Sequence, residues 1–227
     1  MKNQYGKDGK SEEVNAREAA LKILYSIDAK GAYLNIAENE EFRKNPKATA
    51  KDKSFINELV FGVTENRILL DRIIMRFSKI KIKKMSVWVR NILRLGIYQI
   101  YFLDRIPESA ACNESVRVAR ELVSPKEARF VSAVLRCVCR DQASLPERIA
   151  AERAGPGYSM SDSFCGRLRA QYPEQRADIF ASFFEPDGLP LCVNTRRITV
   201  RTLADRLTAE GIEYAYSHDG LPVVVSG

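Results

Sequence analysis

Hydrophobic residues dominate the stretch 86–103, SVWVRNILRLGIYQIYFL. Its few polar side chains fall mostly near one narrow line when the stretch is drawn as a helix of 3.6 residues per turn. They are Ser86, Arg90, Asn91, Arg94 and Gln99. The pattern predicts a helix at the centre of a core, with one thin polar edge that reaches solvent or a ligand. Ser86 is the expected N-cap, and Gly96 is expected to let a neighbouring helix approach closely.

A membrane span is the competing interpretation of this apolar stretch. The run is short for a bilayer, and it carries two arginines and an asparagine, which are costly in the hydrocarbon region. The sequence therefore predicts a core helix and no membrane partner.

Apolar residues at helical spacing recur on both sides of the central helix. Further helices are predicted at residues 14–32, 33–42, 54–78, 108–122 and 128–140. The third of these is expected to bend near Gly62. The segment 79–84, KIKIKK, alternates like a short strand, but a basic connector into the central helix explains it better. Together these elements predict a bundle of roughly seven helices within residues 14–153.

The character of the sequence changes after residue 157, where lysine disappears and strand patterns begin. The predicted elements are two helices from Ser161 onward, a strand at 189–193, a helix at 199–211 and strands at 212–217 and 221–226. An Asp-Gly pair at 219–220 indicates a hairpin between the last two. A two-layer unit that ends on an apolar strand leaves an unpaired edge or an unburied face, so a further segment is expected after it.

The predicted fold class is therefore mainly α, with a helical bundle at 14–153 and a small α+β subdomain at 158–227. The polar start of the chain, residues 1–13, is expected to be disordered.

Positive charge is concentrated in one quarter of the chain. The net charge is +7, and residues 51–100 carry 11 basic and 4 acidic side chains. Between Asp71 and Asp104 there are eight basic side chains and no acid. They are Arg72, Arg76, Lys79, Lys81, Lys83, Lys84, Arg90 and Arg94. This placement favours a polyanion such as nucleic acid as the partner, and a merely solvated face is the alternative.

Neither a metal site nor an active site is predicted. The five cysteines form no CxxC pair, and His218 is the only histidine, which argues against zinc and against a disulfide framework. The cysteines are expected to be reduced thiols in a cytosolic protein. The sequence contains no glycine-rich phosphate loop. On the residues alone, the chain binds something anionic and carries out no chemistry.

Three segments resemble a known family: 52–74 (DKSFINELVFGVTENRILLDRII), 89–120 (VRNILRLGIYQIYFLDRIPESAACNESVRVAR) and 130–136 (FVSAVLR). They are similar to the helical domain shared by the transcription antitermination factor NusB and the amino-terminal part of bacterial 16S rRNA cytosine-C5 methyltransferases of the Sun, Fmu or RsmB family. The segment 189–199, LPLCVNTRRIT, resembles the strand that opens the small RNA-binding subdomain of those methyltransferases. The resemblance implies a NusB-like helical bundle followed by this subdomain.

The resemblance also implies a reaction for the parent protein, in which S-adenosylmethionine gives a methyl group to C5 of a cytosine in small-subunit ribosomal RNA. The family's cofactor loop and two working cysteines lie in a Rossmann-like domain downstream of that strand. None of the cysteines here lies in the matching context, so this chain is expected to hold no cofactor and to be inactive alone. Ribosomal RNA is the expected partner, and the cytoplasm is the expected location.

The predicted RNA contacts come from three places. NusB-like proteins use basic residues near the first helix, and the resemblance places Arg17 there. The acid-free segment supplies Arg72, Arg76, Lys79, Lys81, Lys83, Lys84, Arg90 and Arg94, with buried salt bridges or capping as the alternative for the last two. The turn after the strand at 189–193 supplies Asn194, Arg196 and Arg197. Asn113 and Glu114 match the family's Asn-Glu pair and are expected to be structural.

Three functions remain as hypotheses. The leading one is the RNA-targeting part of an rRNA methyltransferase, the second is a stand-alone antitermination-type RNA binder, and the third is a helical protein-interaction module. The α+β subdomain argues against the second, because a NusB-type protein has no need of it. Binding of ribosomal RNA fragments at moderate salt separates the third from the other two.

Overall fold

A computed structural model of the chain describes residues 15–141, 159–183, 189–216, 220 and 222–226. By their internal contacts the residues separate into two compact units, Met1–Glu174 and Gln175–Gly227. The predicted disorder of residues 1–13, the boundary near residue 157 and the Asp219 turn lie outside the described residues. The predicted domain limits therefore stay predictions.

The first unit is built from helices. They are α1 Ala16–Lys30, α2 Leu34–Lys44, α3 Ala50–Glu65, α4 Arg67–Phe77, α5 Val87–Phe102, α6 Glu108–Leu122, α7 Pro125–Arg140 and α8 Asp162–Gln171. A short 3-10 turn, Ile82–Lys84, leads into α5. The mainly α fold class that the periodicity predicts is confirmed.

Side-chain caps determine where several helices begin. Ser86 Oγ accepts from the N–H of Val89 at 3.3 Å, so the predicted N-cap of the central helix is confirmed. The helix α7 begins at Pro125 rather than at the predicted residue 128. Ser124 Oγ accepts from the N–H of Glu127, and proline fits the first helical position because no N–H is needed there.

The helix α5 is the centre of the first unit, as its hydrophobic pattern predicts. It packs against α1, α3, α4, α6 and α7, and its residues 91–100 are all buried. Gly62 of α3 makes room for the ring of Tyr98, which a Cβ there would overlap. A Cβ on Gly96 would lie 2.9 Å from Ser115 Oγ of α6, so the close helix approach predicted at Gly96 is confirmed. No helix in the described part of the chain, α5 included, is long and apolar enough to cross a membrane.

The predicted helix at 54–78 is two helices in the structure. The chain bends at Asn66 and not at Gly62, which remains inside α3 against Tyr98. Asn66 caps the end of α3 and the start of α4, and its buried amide Nδ2 donates to the carbonyl of Gly62 at 2.9 Å. The segment 79–84 contains the 3-10 turn and connects α4 to α5, as predicted.

The second unit is a small α+β structure. Its elements are α9 Arg176–Ser182, β1 Leu189–Pro190, α10 Val200–Ala209, β2 Glu213–Tyr216 and β3 Pro222–Ser226. The strands form an antiparallel sheet in the order β1-β3-β2. The last strand is therefore the central one and pairs on both sides, so the prediction that it has an unpaired edge is wrong. Thr199 Oγ1 caps α10 by accepting from the N–H of Thr202. The strand predicted at 189–193 is shorter in the structure: β1 is Leu189–Pro190, and the N–H of Leu191 adds one hydrogen bond to the carbonyl of Pro222.

Gly62→Ala is expected to lower the free energy of unfolding by about 2 kcal/mol, because the added methyl group overlaps the ring of Tyr98. Urea denaturation followed by circular dichroism measures this loss. Combining it with Tyr98→Leu removes the overlapped ring. The double variant should therefore lose less free energy of unfolding than the sum of the losses of the two single variants.

The control for this prediction is Gly166→Ala on α8, where no atom lies within 4 Å of the added Cβ. It should be neutral or slightly stabilising, since alanine favours helix more than glycine does. Equal losses for the two glycine variants would contradict a packing constraint at Gly62.

Candidate nucleic-acid interface

Arg94 is buried at the middle of α5, with 5% of its side chain exposed. Its Nε and Nη2 donate to the two carboxylate oxygens of Asp71 on α4, at 2.7 and 2.8 Å. Its Nη1 donates to Asp28 Oδ2 on α1 at 2.6 Å and to Asn91 Oδ1 at 2.8 Å. Burial lowers the pKa of Arg94, but the hydrogen bonds and charges of Asp71 and Asp28 outweigh burial and raise that pKa overall.

The prediction that Arg94 contacts RNA is corrected by this geometry, because its donors are buried and already bound to carboxylates. Arg90, one turn earlier, is half-buried, and its Nη2 lies 3.7 Å from Asp28 Oδ2. Arg67 approaches the same carboxylate at 3.6 Å. Arg90 and Arg94 on the polar line thus face an ion network around Asp28, which is the salt-bridge alternative.

The lysine connector between α4 and α5, defined by Lys79, Lys81, Lys83 and Lys84, is exposed at all four side chains. Within the described part of the chain, none of the four forms an ion pair with a carboxylate. Ser78 Oγ accepts from the N–H of Ile80 at 3.0 Å at one end, and Met85 is buried at the other. The connector is therefore a basic loop that is anchored at both ends and exposes its four ammonium groups to solvent. Its contact with RNA stays a prediction.

Two arginines of α4, Arg72 and Arg76, are also predicted RNA contacts, but they are less available to a ligand than the lysines of the connector. Arg72 is half-buried and Arg76 is exposed. Both interact with other groups of the protein. They are therefore weaker candidates for phosphate contacts.

Arg17 lies beside a cavity formed by α1, α3 and the turn after α5. Its Nε donates to the buried Gln99 Oε1 at 2.6 Å, and its guanidinium carbon is 5.4 Å from the centre of the Phe55 ring. Arg105, which is ion-paired with Glu58, approaches the same ring at 5.8 Å. Burial lowers the pKa of Arg17. Arg17 thus has a packing role, while its cavity places two guanidinium groups beside an aromatic ring.

The three predicted residues after β1 belong to the second unit. Asn194, Arg196 and Arg197 are all exposed. Asn194 shapes the turn, because its Oδ1 accepts from the N–H of Arg196 at 3.2 Å and its carbonyl accepts from the N–H of Arg197 at 2.9 Å. The side chain of Asn194 is thus structural, and the two arginine side chains stay candidates for RNA.

A groove between α6 and α7 is lined by arginines that no sequence pattern above singles out. Arg117 and Arg120 come from α6, and Arg129 and Arg136 come from α7. We call this surface, which encloses about 560 Å³, the arginine groove. Its lining also includes Asn113 but no acidic side chain.

Three of the four arginines are available to a ligand. Arg120, Arg129 and Arg136 are exposed, and none of them pairs with a carboxylate among the described residues. Arg117 is different, because Glu114 and Glu121 accept from it at 2.9 and 2.7 Å. These hydrogen bonds raise the pKa of Arg117. Glu114 therefore holds Arg117 in place, consistent with its predicted structural role.

Helical spacing is the signal in the sequence by which the arginines of this groove could have been found. Arg117 and Arg120 lie one turn apart on α6, and Arg129 and Arg136 lie two turns apart on α7. Glutamates interrupt this part of the sequence, so a search for acid-free runs does not find it. The planar guanidinium fork binds phosphate oxygens in pairs, so a row of such groups suits a nucleic-acid backbone.

The helical unit around α5 is of the NusB class. The sequence profile of the NusB family matches residues 14–140, more than half of the chain, and the chain therefore belongs to the NusB family. The ferredoxin-like domain of RsmF/B-like methyltransferases matches residues 162–224. The two-domain resemblance expected from the sequence is confirmed.

The chain spans less than half the length of its methyltransferase relatives. The probable ribosomal RNA small subunit methyltransferase B of Bacillus subtilis (strain 168) is 28% identical over 219 residues, covering 88% of this chain and 45% of that protein. The transcription antitermination protein NusB of Bacillus licheniformis is 35% identical over 127 residues, covering 56% of this chain and 95% of that protein.

Solved structures show the same helical fold. A structure of T. maritima NusB aligns with a TM-score of 0.52 at 24% identity, over 56% of this chain and 89% of that one. A crystal structure of the antitermination factors NusB and NusE in complex with dsRNA aligns with a TM-score of 0.51 at 23% identity, over 54% of this chain and 92% of that one. At these identities the likeness concerns the fold alone.

The arginine groove does not fit S-adenosylmethionine, the cofactor expected for the parent protein. The arginine groove is lined by four cations, which would repel the positive sulfonium of that cofactor. The described sequence places no glycine-rich loop between a strand and a helix to hold it. Among the same residues, no group of side chains is arranged to bind a metal ion.

Arg94→Met is expected to lower the free energy of unfolding by about 3 kcal/mol, because Asp71 loses its two-pronged partner and Asp28 loses the closest of its three arginines. Chemical denaturation measures the loss. Arg90→Met on the same helix is the matched control and should lower the free energy of unfolding much less, since among the described residues its carboxylate neighbour is Asp28 at 3.7 Å. Similar losses for the two variants would contradict a special role for Arg94.

Proposed function

We propose that this chain is the RNA-targeting part of a methyltransferase that modifies C5 of a cytosine in small-subunit ribosomal RNA. The observation that supports it most is the arginine groove, a cationic surface without acids on a NusB-type unit that an RsmF/B-like domain follows. The B. subtilis relative that matches 88% of this chain is named as a ribosomal RNA methyltransferase. The parent protein would use S-adenosylmethionine and work in the cytoplasm, where its RNA is made.

The phosphates of the RNA are the groups that this chain contacts in the proposal. The arginine groove contributes Arg120, Arg129 and Arg136, whose guanidinium groups have no carboxylate partner among the described residues. The lysine connector contributes four further exposed cations. Such contacts supply affinity and a steep salt dependence but read little sequence. The choice of the target cytosine would then rest on RNA shape and on the rest of the parent protein.

A stand-alone antitermination-type RNA binder is the second candidate. The NusB family match and the NusB relatives favour it for residues 14–140. The match of residues 162–224 to a methyltransferase domain favours the first candidate, because the NusB proteins match little more than half of this chain. A protein-interaction module that binds no RNA is the third candidate.

The RNA-binding half of the proposal is tested with fragments of small-subunit ribosomal RNA at several salt concentrations. Changing Arg120, Arg129 and Arg136 together to Gln should reduce the steepness of log K against log salt by about 2, because each contact to a single-strand phosphate contributes about 0.7. Changing Lys79, Lys81, Lys83 and Lys84 to Ser tests the lysine connector in the same assay and should also weaken binding and flatten the slope.

The matched control removes three exposed cations elsewhere on the first unit, with Lys30, Lys44 and Lys47 changed to Gln. It should leave the slope nearly unchanged. If the control and the groove variant weaken binding equally, the effect is one of net charge and the groove is not the binding surface. If the wild-type chain binds no ribosomal RNA at moderate salt, the third candidate replaces the first two.

The methyltransferase half of the proposal is tested on the native gene product. Its mass should exceed the 25.7 kDa of this chain by roughly the 20 kDa of an ordinary further domain. The full-length protein should transfer a labelled methyl group from S-adenosylmethionine to small-subunit ribosomal RNA, while this chain alone should transfer none. A native product of 25.7 kDa would favour the antitermination-type candidate instead.

A further inference from the structure

Two cysteines face each other across the pair of helices α6 and α7. Cys112 of α6 and Cys139 of α7 have their Sγ atoms 3.3 Å apart, which is close enough for a hydrogen bond between thiols. Both side chains are half-buried, and the two residues are 27 positions apart in the chain. Nothing in the spacing of the cysteines predicts this pair, and only the packing of the two helices brings it together.

The pair borders the arginine groove. Cys112 is one of the residues that line the groove. A second cavity, of about 710 Å³, is lined by both cysteines of the pair together with Cys137, Glu108 and Arg140. Small reagents can therefore reach the two sulfur atoms from solvent without unfolding of the helices.

From this geometry we infer that Cys112 and Cys139 form a reversible dithiol–disulfide site, oxidised by a low-molecular-weight disulfide such as oxidised glutathione. The bond between two sulfur atoms is about 2.05 Å long, so the pair must close by a little over 1 Å. Rotation of the two side chains and a small shift of the helices supply this movement.

The exchange proceeds in two steps. The thiolate of Cys112 attacks one sulfur of the small disulfide, forms a mixed disulfide and releases one small thiolate. The thiolate of Cys139 then attacks Cys112 Sγ, and the second small thiolate leaves. The two protein thiols lose two electrons and two protons, and the small disulfide takes up both and becomes two thiols.

The surroundings make Cys112 the better first nucleophile. Burial raises the pKa of both thiols, and it raises that of Cys139 to about 12 with help from Cys112 and Glu108. The nearby Arg136 acts in the opposite direction on Cys112 and favours its thiolate. Few thiolates exist at neutral pH, so the site responds to sustained oxidation rather than to brief exposure.

Oxidation would fix the spacing of the two walls of the arginine groove. The α6 wall carries Arg117 and Arg120, and the α7 wall carries Arg129 and Arg136. A crosslink between the walls reduces their relative motion, so less freedom remains to be lost when an anion binds. The oxidised protein is expected to release a bound polyanion several-fold more slowly than the reduced protein does.

The test equilibrates the full chain with mixtures of reduced and oxidised glutathione, quenches with a thiol alkylating reagent and measures mass. The expected product is two hydrogen atoms lighter than the reduced chain and yields one disulfide-linked peptide joining Cys112 to Cys139. Its melting temperature should rise, and reduction should reverse both changes. Persistent glutathione adducts on Cys112, Cys137 or Cys139 without the linked peptide would overturn the inference.

Matched variants separate the site from general thiol oxidation. Cys112→Ser and Cys139→Ala should each abolish the intramolecular product, while Cys192→Ser, at an exposed cysteine of the second unit, should leave it unchanged. A linked product that survives in Cys139→Ala would assign the oxidation to another pair and refute the inference. These readouts need no RNA, so they stand or fall independently of the proposed function. Equal rates of RNA release from the two forms would refute the effect on the groove.

Discussion

The buried guanidinium of Arg94 links three helices of the first unit by hydrogen bonds and ion pairs. Arg94 joins α5 to α4 through Asp71 and to α1 through Asp28, and its forked donors satisfy both carboxylates at once. Removing one partner from such a group leaves an uncompensated charge in the core and costs about 3–5 kcal/mol. The network therefore favours one arrangement of α1 and α4 against α5. Because Asp28 and Asp71 are ion-paired with Arg94, their negative charges are neutralised inside the unit and do not oppose the cations on the surface.

The outer helices carry the cations that a polyanion can reach. The pair α6 and α7 packs closely on itself and against α5, and the two helices form the walls of the arginine groove. Glu114 and Glu121 neutralise Arg117 and hold it, while Arg120, Arg129 and Arg136 remain exposed. Rigid helices position charged side chains more reproducibly than loops do. In the proposed function, this helix pair and the exposed lysine connector supply the cations with which the chain would place RNA for another domain.

Much of the fold can be predicted from the sequence, because apolar spacing and capping residues are local properties. The central helix, its Ser86 cap and the tight approach at Gly96 all follow from residues 86–103. The site is harder, because exposure depends on contacts between distant residues. Arg94 belongs to an acid-free basic segment that resembles a surface, yet its side chain is buried because Asp28 and Asp71 neutralise its charge. The arginine groove is split between two helices, so neither segment alone shows it.

The joint at Asn66 limits how the chain can change in length. Because Asn66 serves as a cap for both α3 and α4, no loop lies between the two helices to absorb an extra residue. One inserted residue would turn α4 by about 100° relative to α3, given 3.6 residues per turn. Either Gly62 would then lose its register against Tyr98, or Asp71 would face away from Arg94. Insertions and deletions should therefore be tolerated far less between Gly62 and Asp71 than in the connector that follows α4.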